Sequence, residues 1–115
     1  MSQPAATGAL YSTIEDLYRW SEALFEGRAL SPRSFQAMTT PFLNGYGYGV
    51  SVAEILGRRT VSHGGGINGF NTFLIRYLAE KATIVVLRNR DYGTPAPNVT
   101  THGNDEYLGI LSSSR

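Results

Sequence analysis

The chain reads as an α+β domain, an antiparallel sheet with flanking helices. Three observations predict it. Ile14, Leu17, Tyr18, Ser21, Leu24 and Phe25 fall on one stripe of a helix, with Ser21 the one polar interruption. Beyond Pro41 the pattern changes, and large and small residues alternate from Tyr46 to Val52 as they do along a strand with one packed face. Turn signals then separate short apolar runs, with none of the strand–helix alternation that a parallel sheet needs. The 115 residues suffice for one domain with a modest core, so 1–115 is taken as a single domain whose ends, 1–10 and 112–115, are expected to be loose.

Each element has a local cause. Ser12 with Glu15, or Thr13 with Asp16, can form a capping box, and the acids suit the positive end of the helix dipole. Gly27 is placed to end that helix. A second short helix starts at Ser31 as cap with Pro32 in its first position, and Phe35 and Met38 turn inward. After the expected strand over 46–52, Gly57-Arg58 marks a turn into Arg59 to Ser62. Asn68-Gly69 is the strongest hairpin signal in the chain, joining a strand that ends near His63 to one from Phe70 to Leu78. A polar turn at Glu80-Lys81 follows. Thr83 to Leu87 is continuously apolar after its first residue, as expected of a strand covered on both faces. Pro95 and Pro97 break the chain, and a short terminal helix is expected over about 104–111. Tyr11, Tyr18, Trp20, Phe25, Tyr46 and Tyr48 are assigned to the core in preference to a ligand box or cleft wall.

Composition removes several classes of function. Ten basic and nine acidic residues leave a net charge of +1, which offers nothing to nucleic acid or to an anionic membrane surface. Arg88 and Arg90, followed by Asp91, read as a solvated strand end. No run approaches the ~18 apolar residues of a membrane span. The first ten residues lack the basic region and apolar core of a signal peptide, and the compartment stays open. Without cysteine there is no disulfide or thiolate metal site, and two histidines with no ligand spacing between them predict no metal. His102 falls in a polar, solvated loop, and Asn98-Val99-Thr100 matches a glycosylation triplet too short to be specific. No cofactor is implied.

The chemistry concentrates in Val61 to Phe70, VSHGGGINGF. Gly64-x-Gly66-x-x-Gly69 matches a dinucleotide fingerprint, but that motif opens a helix, and Asn68-Gly69 opens a hairpin instead. His63 to Gly66 matches the oxyanion motif of lipase-like hydrolases, but no G-x-S-x-G nucleophile elbow follows. Two readings stay open on these residues alone. One is a strand edge lining an acyl-transfer site: glycines let a substrate lie against the main chain, an N–H donates to a developing oxyanion, and a histidine manages a proton. The other is a glycine-rich hairpin with a half-exposed histidine.

The order of blocks separates them. Gly8-Ala9-Leu10-Tyr11-Ser12-Thr13-Ile14-Glu15-Asp16-Leu17 with Trp20, Leu30-Ser31-Pro32, Met38-Thr39-Thr40-Pro41, Tyr46-Gly47-Tyr48-Gly49, His63-Gly64-Gly65-Gly66 with Gly69-Phe70, and Val85-Val86-Leu87-Arg88-Asn89 together resemble the C-terminal part of the serine β-lactamase and penicillin-binding-protein family. The branch it most resembles is that of class C β-lactamases, esterases and D-aminopeptidases, over about residues 5–98. The resemblance implies the C-terminal part of the β-lactamase/transpeptidase-like fold. It implies that His63-Gly64-Gly65 stands for the family's Lys-Thr-Gly or His-x-Gly strand motif. His63 would then be a helper in proton transfer, Gly66 the backbone oxyanion donor, and Gly64 and Gly65 substrate-binding positions. Gly64 replaces a hydroxyl residue that binds a substrate carboxylate, which leans the substrate toward esters or peptides.

The nucleophile is absent from this chain. The family carries it in S-x-x-K, and the one lysine here, Lys81, has Leu78 three positions before it. No asparagine is preceded two residues earlier by Tyr or Ser, so the second family element is missing too. The implied function is a portion of a serine hydrolase acting on ester, peptide or β-lactam acyl groups, inactive alone. The alternative is a binding or assembly module derived from that fold. Surfaces that would meet the family's other lobe stand open, so a homo-oligomer, most simply a dimer, is expected beside a small acyl substrate, with no nucleic-acid or membrane partner.

Overall fold

A computed structural model describes residues 8–89 and, as a backbone strand only, 106–112. The element order is α1 (Ile14–Phe25), α2 (Pro32–Thr39), β1 (Ser51–Ile55), β2 (Arg58–Ile67), β3 (Phe70–Tyr77), β4 (Ala82–Arg88) and β5 (Glu106–Ser112). The five strands form one antiparallel meander in the order β1-β2-β3-β4-β5.

The helix boundaries follow local chemistry. Thr13 caps α1, its hydroxyl accepting from the Asp16 N–H at 3.1 Å. At the other end Gly27, at φ 76°, lets the Arg28 N–H reach Ala23 O at 2.9 Å while its own N–H reaches Leu24 O at 3.4 Å. That pair of bonds is a Schellman closure. Ser31 caps α2 from in front of Pro32. The Arg59 guanidinium donates to the Thr39 carbonyl at 2.8 Å, placing a cation on the negative end of α2. Phe25 and Phe35 pack edge to face, centroids 5.7 Å apart, and join the two helices.

Cross-strand partners share a face of the sheet. Val52, Val61, Arg76 and Thr83 are in register across β1 to β4, and all four are buried. This face receives α1. Ser21, the polar interruption in the α1 stripe, is fully buried and hydrogen-bonds the Thr83 hydroxyl at 3.1 Å. Arg76 is 2% exposed. Its Nη1 donates to Glu22 Oε1 and, at 2.9 Å, to Thr83 Oγ1. Its guanidinium lies 5.7 Å from the Phe25 ring centroid. A buried charge of this kind is tolerated only with a partner and further hydrogen bonds, and α1 supplies both. On β4, Val85 and Val86 point to opposite faces and are both buried, in agreement with the expectation of cover on both sides.

Three sequence expectations are corrected. Residues 46–50 do not form a strand; β1 starts at Ser51. Asn44, Gly45 and Gly49 take φ of 49°, 76° and 74°, and a Cβ on Gly47 would sit 2.0 Å from the Met38 carbonyl oxygen. These glycines punctuate a folded loop drawn against the end of α2, in which the Tyr48 N–H donates to that same carbonyl. Residues 106–112 form strand β5 and not a helix, because the free side of β4 offers seven residues of pairing. Tyr11, Trp20, Tyr46 and Tyr48 are exposed, not core, whereas Tyr18 and Phe25 are half-buried. The expected turns at Asn68-Gly69 and Glu80-Lys81 are present, as are the inward-facing Phe35 and Met38; the turn expected at Gly57-Arg58 is Leu56-Gly57, with Arg58 already the first residue of β2 and paired with Ile55. The break at Pro95 and Pro97, His102, the triplet at 98–100, Arg90 and Asp91, and residues 1–7 and 113–115 lie outside the described residues.

Two outcomes are expected. Arg76→Ala lowers unfolding stability by about 3–5 kcal/mol in urea denaturation, because it strands the half-buried Glu22 carboxylate. Leu56→Asn raises stability by about 1 kcal/mol at unchanged m-value. Leu56 sits at φ 51° beside Gly57 in the two-residue β1–β2 turn with its side chain 95% exposed, so it contributes strain and no packing.

Candidate functional site

The glycine segment is a regular strand. β2 runs past His63 to Ile67, so His63 lies within the strand and not at its end. The Asn68-Gly69 turn leads directly into β3, with a positive φ of 86° at Gly69, and no helix follows. That leaves no pyrophosphate cradle.

β2 is paired unevenly. On one side β3 matches it from Thr60 to Ile67; on the other β1 matches it only from Arg58 to Ser62. The chain ahead of β1, with Gly49 at a positive φ, does not continue that strand, so no described residue pairs with 63–67 on this side, the open edge of β2 among the described residues. The direction of each backbone group follows from bonds nearby. The Val52 N–H donates away from β2 to Gly45 O at 2.7 Å, so Val52–Val61 is a non-hydrogen-bonded pair and Ser51–Ser62 a hydrogen-bonded one. The Arg59 carbonyl accepts from Leu78 N–H at 3.1 Å, and the Gly65 carbonyl accepts from the Thr72 hydroxyl at 3.3 Å; both face β3. Odd-numbered residues of β2 therefore face β3, and even-numbered ones face the β1 side. Ser62 finds its partner there. Gly64 and Gly66 present N–H and C=O to the open edge with no partner among the described residues.

The glycines are not required by the fold in equal measure. None of residues 64 to 66 has a positive φ. A Cβ on Gly65 would lie 2.8 Å from Thr72 Oγ1, on the face toward α1. A Cβ on Gly64 would meet only ordinary contacts, the nearest Phe73 Cδ2 at 3.7 Å, and one on Gly66 would meet nothing within 4 Å. Among the described residues, Gly64 and Gly66 thus spend strand stability without a conformational or packing reason.

His63 pairs across from Leu74 on the face that carries α1, and its ring is exposed. It makes no hydrogen bond or ion pair among the described residues. The fold so brings the exposed histidine to the first residue of the open edge and the two free glycine amides to the next alternate positions. Among the described residues it brings no activated serine to them. Tyr46 and Tyr48 lie on the loop before β1, where Tyr48 stacks at a tilt on Phe42 with centroids 5.3 Å apart. Among the described residues no cluster of three metal-binding side chains exists, and no helix is long and apolar enough to cross a membrane. The glycines are evident in the sequence, but the parity that aims Gly64 and Gly66 outward is not. The detectable signal is Gly49, where the chain ahead of β1 does not continue that strand.

Comparison with known proteins gives three findings. The family model described as beta-lactamase matches residues 1–108. Penicillin-binding protein 4* of Bacillus subtilis (strain 168) is 32% identical over 94 residues, 76% of this chain and 21% of that protein. A D-aminopeptidase of Gluconobacter oxydans (strain 621H) is 26% identical over 86 residues, 70% of this chain and 16% of that protein. The chain therefore spans about a fifth of the length of these relatives. No solved structure matches it significantly.

Alanine substitution separates the glycines by role. Gly64→Ala and Gly66→Ala are expected to raise stability by roughly 0.5–1 kcal/mol each, since a methyl group fits and the unfolded chain loses freedom. Gly65→Ala should gain nothing or lose stability, because Thr72 must abandon its bond to the Gly65 carbonyl. Thermal unfolding of the three variants checks the ranking.

Proposed function

The chain belongs to the β-lactamase family, and from that premise we propose that it is the C-terminal, substrate-facing portion of a serine hydrolase of β-lactamase/transpeptidase-like fold. The observation that carries the reading is the open edge of β2, with the N–H and C=O groups of Gly64 and Gly66 unpaired among the described residues beside an exposed His63. An acyl substrate laid along this edge receives main-chain hydrogen bonds as an added strand would. The Gly66 N–H donates to the carbonyl oxygen as it gains negative charge, a contribution that grows from ground state to transition state. His63 takes or returns a proton at the reacting oxygen or nitrogen as a helper group. Gly64 and Gly65 form the bare wall on which the substrate lies.

The serine that would form the acyl-enzyme is not in this chain, which has no S-x-x-K. These 115 residues by themselves are accordingly without turnover. The absence of a hydroxyl at Gly64 favours esters or peptides over substrates that need a bound carboxylate. The open edge also favours a second reading, a non-catalytic module that keeps the strand-binding geometry and holds a ligand or partner there.

Three measurements test these statements. A fluorophosphonate probe labels no serine of the isolated chain; stoichiometric labelling contradicts the missing nucleophile. In a chimera where the chain replaces the matching segment of penicillin-binding protein 4*, acylation by p-nitrophenyl acetate proceeds, and Gly66→Pro slows it about 10²–10³-fold. Unchanged acylation in that variant removes Gly66 from the oxyanion role. For the module reading, calorimetry with an N-acetylated dipeptide amide shows binding to the isolated chain that His63→Ala weakens with the fold intact, and equal affinity argues against it.

A further inference from the structure

The open edge of β2 is complementary to itself. Each copy offers two donors and two acceptors, the N–H and C=O groups of Gly64 and Gly66, facing the same way. Set two such edges antiparallel about a twofold axis at Gly65. Gly64 of one copy then stands opposite Gly66 of the other, and both positions are hydrogen-bonded pairs in which N–H and C=O are exchanged. All the free groups of both edges are satisfied at once. At the axis the two Gly65 residues form the close, non-hydrogen-bonded pair.

The segment carries none of the usual guards against such pairing, which is bounded at one end by Ser51 of β1 opposite Ser62. Natural edges are usually guarded by lysine, proline, a bulge or an inward charge. Residues 63–67 contain none of these, and their register with β3 is unbroken. The extra strand meets no Cβ at 64, 65 or 66. The same register brings Ile67 of one copy opposite His63 of the other. Ile67 and its cross-strand neighbour Phe70 are 41% and 55% exposed, so an apolar hairpin tip lies beside the pairing edge.

We propose that the chain forms a twofold dimer by pairing β2 with β2 through Gly64 and Gly66, continuing the two sheets into one. In this dimer the Gly66 N–H is consumed by the partner copy, so self-association and acyl-substrate binding exclude each other. The pairing rests on the edge geometry alone; its regulatory consequence rests on the reading of Gly66 as the oxyanion donor.

The test is amide hydrogen exchange by NMR on the unmodified 115-residue chain at high micromolar concentration and after roughly hundredfold dilution, with sedimentation in parallel. The Gly64 and Gly66 amides are expected to be protected in the concentrated sample and to exchange freely on dilution, as the mass falls from dimer to monomer. Gly66→Pro, which removes an N–H that the β2–β3 ladder does not use, raises the dimer Kd at least about tenfold. A monomer at high concentration, a dimer whose Gly64 and Gly66 amides exchange freely, or protection that survives dilution overturns the proposal. No substrate enters this experiment. Protected amides with a chimera indifferent to Gly66→Pro would sink the acyl-site reading alone, and an acylating chimera with unprotected amides would sink the dimer alone.

Discussion

The buried Arg76 is the constraint on which the rest of the domain depends. Six apolar residues form the core among the described residues, while ten large apolar side chains are exposed, so hydrophobic burial alone holds the parts together weakly. The Arg76–Glu22 pair, the Thr83 and Ser21 hydroxyls and the Phe25 ring fasten α1 to the middle of the sheet. A charged network of this kind contributes little net stability compared with a well-packed apolar substitute. What it does contribute is alignment. An arginine that must meet one carboxylate and one hydroxyl admits one axial position of the helix, where a greasy contact admits several.

The glycine segment shows the opposite balance. Gly65 has a structural reason, the Thr72 hydroxyl that occupies the place of its side chain. Gly64 and Gly66 have none among the described residues, and each weakens a strand that alanine would strengthen. Their bareness suits the two occupants proposed for the edge, an acyl substrate or another β2. Anchoring and binding are thus separated along the sheet. The anchored end, around Val61 and Arg76, is buried; the bare end, from His63 to Ile67, is not.

Much of this was legible because it is local. Thr13, Ser31-Pro32, Gly27 and Asn68-Gly69 act within three or four residues, and each did in the structure what its chemistry dictates. The order of blocks was legible enough to name a family that the comparison with known proteins also finds. The failures are long-range. Tyr46-Gly47-Tyr48-Gly49 alternates as a strand does, but the decisive fact is the approach of the Met38 carbonyl to Gly47. Tyr107, Leu108, Ile110 and Leu111 suit a helical stripe, yet the vacant side of β4 drew them into a fifth strand. Arg76 looks like an ordinary outward residue of an alternating strand, and its carboxylate partner lies 54 positions earlier. The outward aim of Gly64 and Gly66 needed the pairing parity of β1, which no short window contains.

The strand order has a kinetic side. Every strand pairs with its neighbour in sequence, and the three described turns joining β1 to β4 are short. Loop closure at each step is therefore cheap, and such a ribbon can zip from hairpin to hairpin on a microsecond scale. The attachment of α1 is different in kind, since Ser21 and Thr83 are 62 residues apart. Docking of the helix is then the slow closing event. Until it occurs, the arginine stays hydrated and the nascent sheet has a naked face, which makes the interval between zipping and docking the moment at which this chain is most open to wrong partners.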